Sequence, residues 1–200
     1  MATVEKELKL LLEQDSYKKI LNRVNQQPDV IRQTNYYFDT CDFKLEKAGI
    51  TLRIRNEEKN WLLCMKTKSN TESQFVSSTE IERSISERDF EYYKENPSEI
   101  LEGITENPVN INSIINAEEI SLLGSIRNER KKIKLFNEYT IELDHSLFPG
   151  GNESFEIEVE GVNTERECDY IMNELRHMGI EFNLNKKSKY KRFVEFISSN

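Results

Sequence analysis

The residues that could do chemistry in this chain are charged and recur at every second position. Glu5, Glu7 and Lys9 alternate with Lys6 and Leu8 near the start. Arg53 and Arg55 follow, then Lys66 and Lys68, Glu80 and Glu82, and the bases Arg130, Lys132 and Lys134. Glu142 with Asp144, and Glu156 with Glu158 and Glu160, complete the series. Bases group on some segments and acids on others. Grouped cations suit phosphate oxygens, and Arg makes bidentate contacts that Lys cannot. Grouped carboxylates suit divalent cations. Mg²⁺ favours an octahedral oxygen shell and is commonly shared between one or two carboxylates and substrate phosphates. A basic and an acidic region around one cavity therefore suit a metal–polyphosphate complex. The matching chemistry is phosphoryl transfer, which needs charge stabilisation and an aligned water or hydroxyl.

A repeat of two is the side-chain period of a strand, so each charged set shares one face of a β-segment. Alternation and β-branched or aromatic content predict strands at about 3–12, 30–39, 49–57, 60–68, 75–84, 126–136, 138–146 and 153–162. Turns are expected at Glu57–Asn60, at Phe136–Glu138 and at Phe148–Asn152. Helices are expected over Tyr17–Asn25 behind Ser16, from Ser86 and Asp89 to Pro97, from Asn163 or Thr164 through His177, and over Lys186–Ile197. Pro97–Leu123 reads as short helices. Eight strands joined largely by hairpins predict an α+β protein: a closed, eight-stranded antiparallel barrel with helices packed on the outside.

Any one of these stripes fits an ordinary sheet with one wet face. As a set they differ from that in two ways. Each strand carries charges of predominantly one sign, with few neutral polar residues interspersed. The reverse faces are consistently apolar: Ile54, Leu63 and Met65, Ile81, Ile133, Ile141 and Leu143, Phe155, Ile157 and Val159. Helices then have an apolar exterior to cover, and the charge looks inward.

Composition narrows the field. The chain has 200 residues, a net charge of −8, 36% apolar and 32% charged residues. One domain over 1–200 is expected. The acidic balance argues against a nucleic-acid duplex as partner. Cys41, Cys64 and Cys168 are too scattered for a disulfide framework, which favours a reducing cytoplasm. No long apolar run predicts a membrane span.

These residues resemble the CYTH proteins, also called triphosphate tunnel metalloenzymes. Glu5-x-Glu7-x-Lys9 matches the ExExK signature, and Tyr37-Phe38-Asp39-Thr40, Arg53-x-Arg55, Lys66, Glu80-x-Glu82, Arg130, Asp144, Glu156-x-Glu158 and Ser188-Lys189 follow in order. Length and Leu143-Asp-His-Ser146 look most like the YjbK-type bacterial subgroup. The resemblance implies a triphosphate tunnel and a substrate-binding set of Lys9, Arg53, Arg55, Lys66, Arg130, Lys132 and Lys189. It implies a catalytic set of Glu5, Glu7 and Lys9. Glu5, Glu7, Asp144, Glu156 and Glu158 are expected to hold Mg²⁺ or Mn²⁺, with Glu80 and Glu82 supporting. Lys68, Lys134, Glu142 and Glu160 are expected at the tunnel mouths or in solvent.

The resemblance points to a metal-dependent triphosphatase acting on a small triphosphate, with inorganic triphosphate favoured because no base-recognition signature is evident. A class IV-type adenylate cyclase, a thiamine or nucleoside triphosphatase, and a non-catalytic triphosphate-binding protein are the alternatives. A homodimer is the assembly the family suggests.

Overall fold

β1 (Ala2–Leu12) closes the sheet on itself, because its two halves pair with different partners. Its first half runs antiparallel to β5 (Val76–Ile85) and its second half to β8 (Glu153–Glu160). The computed structural model describes residues 2–24, 28–69, 73–104, 110–135 and 139–199. Between those two partners lie β4 (Asn60–Ser69), β3 (Ile50–Glu57), β2 (Val30–Thr40), β6 (Ile120–Leu135) and β7 (Tyr139–Leu147), each antiparallel to its neighbours. The result is the closed eight-stranded barrel that the alternation predicts. A ninth strand, β9 (Phe182–Leu184), adds to the second half of β1 where β5 has ended.

Helices cover the outside. Leu8, Leu10, Ile141, Leu143, Ile157 and Val159 are fully buried beneath α1 (Gln14–Leu21) and α4 (Glu165–His177), which contribute Ile20, Cys168, Ile171 and Leu175. On the opposite wall, Leu52, Ile54, Leu63, Met65 and Ile81 pack against Phe90 of α3 (Glu87–Glu95) and against Ile100, Ile111 and Ile115. Burial of each such side chain stabilises by about 1.5–3 kcal/mol, and it is this apolar exterior that turns the charged face inward.

Two further helices fix the interior. α2 (Lys44–Lys47) follows β2, and Asp39 holds it: Oδ1 accepts the Thr40 and Leu45 amides, and Oδ2 accepts that of Glu46. α5 (Lys189–Ile197) sets Tyr190 and Phe193 against Tyr37 and Ile126, on the inward face of β2 and β6. It closes that side of the barrel interior. Gly124 of β6 makes this approach feasible, since a Cβ there would lie 3.1 Å from the Phe193 ring.

Several expectations are met locally. Ser86 with Asp89 and Thr164 with Glu167 form reciprocal capping boxes on α3 and α4. Glu58, at φ 56°, and Lys59 form the two-residue β3–β4 turn. Gly150 and Gly151, both at positive φ, carry the β7–β8 turn.

Others need correction. Helix α1 starts at Gln14 behind Glu13, not behind Ser16; Ser16 is buried inside it, its Oγ accepting the Glu181 amide. The expected end of that helix at Asn25 and the turn at Phe136–Glu138 fall outside the described residues. Short 3₁₀ turns do form between Pro97 and Glu119, but β6 begins at Ile120, six residues before its expected start. A bulge opposite Tyr37 and Phe38, with Gly124 at φ +146°, breaks the period of two that would have shown it. α5 begins at Lys189, capped by Ser188, and Lys186 and Lys187 are not helical. β9 and α2 are too short to leave a periodic signal.

Candidate active site

The inward faces of the strands line a cavity of about 350 Å³. Glu5, Glu7, Lys9, Arg53, Arg55, Lys66, Glu80, Glu82, Arg130, Glu158 and Lys189 all border it. Register explains the convergence. Lys66 lies opposite Glu80, Arg130 opposite Asp144, and Lys9 opposite Glu158.

Two ionic clusters result. In the first, Lys66 Nζ lies 2.9 Å from Glu5, 3.0 Å from Glu7 and 3.7 Å from Glu80. Arg53 reaches the other Glu80 oxygen at 2.9 Å, and Arg55 faces Glu82 at 3.7 Å. In the second, Arg130 binds Asp144 through two parallel bonds, Nε to Oδ1 at 2.8 Å and Nη2 to Oδ2 at 2.7 Å, and also contacts Glu142 and Glu158. Lys189 Nζ sits within 2.9 Å of Asp144, Glu156 and Glu158. Lys9 joins the clusters, 3.2 Å from Glu7 and 3.0 Å from Glu158. Charges this buried are tolerable only when partnered.

The titration tendencies follow from that packing. Burial raises Glu80, but Arg53 and Lys66 outweigh it and pull the carboxyl down to about 2. Burial likewise opposes ionisation of Glu158, Glu7 and Asp144, yet their cationic neighbours hold all three below the usual carboxylate range. Lys9 and Lys189 are held above the ordinary lysine value by their carboxylates, against the pull of burial. Glu5 goes the other way. Burial and the nearby Glu80 carboxyl raise it to about 7, despite Lys66.

Not every expected residue borders the open volume. Asp144 and Glu156 are fully buried behind the lining. Asp144 is taken up by Arg130 and Lys189, whereas Glu156 receives Asn185 on Oε1 and both Arg192 and Lys189 on Oε2. Lys132 has a side chain 53% exposed and pairs with Glu142 at 3.1 Å. Glu142, expected at a mouth or in solvent, is instead buried between Lys132 and Arg130. Lys68 and Glu160 are exposed at the cavity border, and Lys134 is exposed.

Sequence reasoning missed one wall. Gln33, Asn35 and Tyr37 of β2 and Asn128 of β6 line the cavity without charge, and Asn185 and Arg192 brace Glu156 from behind. The period-two spacing of Gln33, Asn35 and Tyr37 puts them on one face of β2, but without charge it does not mark that face as a cavity wall. Elsewhere, His145 stacks on Phe155 outside the barrel and Trp61 stacks on Phe90 of α3.

The lining includes the oxygen donors that hard divalent cations prefer: the carboxylates of Glu5, Glu7 and Glu158, gathered with ammonium groups that a substrate phosphate could draw away. Among the described residues, Cys64, Glu80 and Glu82 also bring potential ligand atoms within 4.8 Å of one another. That triad suits a hard ion less well. Burial pushes the Cys64 thiol up to about 12, keeping it protonated, and Glu80 is already engaged by Arg53.

Solved structures with the same fold include HpAC1 from Hippeastrum, an adenylyl cyclase candidate described as having a dominant triphosphatase activity. It shares 23% identity over 96% of each chain, with a TM-score of 0.81. An adenylate cyclase candidate from Bacillus halodurans matches with 23% identity, covering 96% of this chain and 98% of its own, at a TM-score of 0.76. A protein from Pyrococcus horikoshii matches at 21% identity, covering 96% and 99%, with a TM-score of 0.57. Curated proteins gave no match. The family profile described as the CYTH domain matches residues 3–194, which is nearly the whole chain with its inward-facing charged strands. This chain belongs to the CYTH domain family.

Proposed function

We propose that this protein is a divalent-metal-dependent triphosphatase that binds a triphosphate inside the barrel and hydrolyses a phosphoanhydride, with inorganic triphosphate as its favoured substrate. One observation carries this reading: guanidinium, ammonium and carboxylate groups from six strands and α5 converge on one cavity inside the barrel. The chain is taken as a single CYTH domain over 1–200, of the YjbK-like bacterial subgroup, working in the cytoplasm as a homodimer.

In this reading Arg53, Arg55, Lys66, Arg130, Lys9 and Lys189 bind the phosphate chain, and Lys132 adds positive charge at the edge. Each cation is preloaded on carboxylates, so a bound phosphate exchanges one set of oxygens for another without reorganising the wall. Glu5, Glu7 and Glu158 would hold Mg²⁺ or Mn²⁺. Asp144 and Glu156 would join them only by releasing Arg130 and Lys189. A bound divalent ion would supply charge stabilisation on the phosphate oxygens. Glu5 and Glu7 order the attacking water, and Glu80 and Glu82 fix Arg53 and Arg55.

The test is a panel of inorganic triphosphate, ATP, GTP, thiamine triphosphate and long-chain polyphosphate, assayed for phosphate release with Mg²⁺ or Mn²⁺. Glu7→Gln should abolish turnover and largely keep ligand affinity. Arg53→Ala and Arg55→Ala should chiefly raise KM, and Glu5→Gln should chiefly lower kcat. Equal, mild effects from all four would count against the reading. Cyclic AMP and pyrophosphate formed from ATP would select the cyclase instead, and tight binding without turnover would select a triphosphate-binding protein.

A further inference from the structure

Among the described residues, one side of the cavity carries no charge. β1, β3, β4, β5, β6 and β8 each offer ionised side chains to it, but β2 offers Gln33, Asn35 and Tyr37. Next to β2, Asn128 of β6 continues the neutral surface. Most of this wall is internally satisfied. Ser146 donates to Asn128, Asn128 donates to Gln33, and Gln33 donates to Glu57.

Asn35 is the exception. It is only 3% exposed, borders the cavity, and its buried Oδ1 has no hydrogen-bond partner among the described residues. Register places it directly opposite Arg55, whose Nε is likewise buried and unpaired. A buried carboxamide oxygen left without a donor is costly, and such a group is retained where something else completes it. A deprotonated phosphate cannot, because its oxygens only accept. A hydroxyl can. The cavity, at about 350 Å³, also falls within the range of roughly 300–1,000 Å³ that encloses organic ligands.

We propose that Asn35 is a specificity-determining residue: it accepts a hydrogen bond from a hydroxyl-bearing organic group esterified to the end of the phosphate chain held by Arg55. Asn35 then sets the preference between organic triphosphate esters and inorganic triphosphate. This inference rests on the proposed triphosphate-binding role of the cavity. It makes β2 the wall that reads what the phosphates are attached to.

The experiment compares wild type, Asn35→Leu and Asn35→Thr on three probes: inorganic triphosphate, ATP, and dideoxyadenosine triphosphate, which lacks the ribose hydroxyls. Wild type should prefer ATP to the dideoxy compound. Asn35→Leu should lower kcat/KM for ATP by about tenfold, the worth of one hydrogen bond, mainly through KM. It should leave inorganic triphosphate and the dideoxy compound unchanged, and Asn35→Thr should restore part of the loss. Equal losses on all three probes would make Asn35 a structural or phosphate-binding residue and overturn the inference. So would a wild type that accepts inorganic triphosphate and no organic ester, which leaves the triphosphatase reading intact. If nothing is hydrolysed, the triphosphatase reading fails. Calorimetric Kd values for the same probes then decide Asn35 alone, and absence of an ATP-specific loss overturns it.

Discussion

Tyr190 of α5 donates its hydroxyl to Asp39 Oδ2 at 2.6 Å, and the same Asp39 carboxylate accepts the backbone amides that start α2. One buried acid therefore fastens the C-terminal helix to the end of β2. The fastening matters for the site, because the residue before Tyr190 is Lys189, which borders the cavity and meets Glu158 there and Asp144 and Glu156 behind the lining.

Tyr190→Phe should cost about 2 kcal/mol of stability, as expected for a buried hydrogen bond to a charged acceptor. Denaturant unfolding measures it. Because Lys189 is positioned by the same helix, affinity for a triphosphate should fall as well, read by calorimetry. An unchanged midpoint and affinity would show that the bond fastens nothing.

Alkali should destabilise the fold through two tyrosines. Burial raises both Tyr37 and Tyr190, the latter also through its bond to Asp39, so the folded state holds them neutral above their unfolded value of about 10. Their stabilisation is complete below that pH and is lost as pH rises towards the folded values. The slope should approach about 1.4 kcal/mol per pH unit for each tyrosine. Ultraviolet titration should show two of the eight tyrosines ionising only on unfolding.

Lys9→Met should destabilise by about 1.5–3 kcal/mol, because Glu7 and Glu158 would lose the ammonium between them while Glu7 keeps Lys66 and Glu158 keeps Arg130 and Lys189. Combining it with Glu158→Gln should recover much of the loss. A double-mutant cycle in thermal or urea unfolding reads the coupling, and additive single effects would refute it.

Gly124→Ala should cost about 1–3 kcal/mol from backbone strain alone, since φ +146° is disfavoured for a residue with a Cβ. The added methyl also presses on Phe193. Phe193→Ala in the same chain should relieve the contact but not the strain, so the double variant should remain less stable than Phe193→Ala alone.

Most of the inward face was legible from spacing. Glu5, Glu7 and Lys9, Arg53 and Arg55, and Glu80 and Glu82 announce themselves because strand geometry sends alternate residues one way and apolar neighbours the other. Gln33 and Asn35 obey the same geometry but carry no charge, and neutral polar residues on a strand look the same whether they face a cavity or water. The early part of β6 was hidden by its bulge, and β9 by its length.

The sequence alone determined that charge and apolar side chains occupy opposite faces of the strands, since that depends only on a local period of two. It could not determine which charges remain open to a ligand. Asp144 and Glu156 share the pattern of Glu5 and Glu7, yet Arg130, Lys189, Arg192 and Asn185 take up their oxygens. That outcome depends on strand register and on where α5 lands, both set by contacts between residues far apart in the chain. Tertiary structure decided it, because a carboxylate's availability is a property of its neighbours in space.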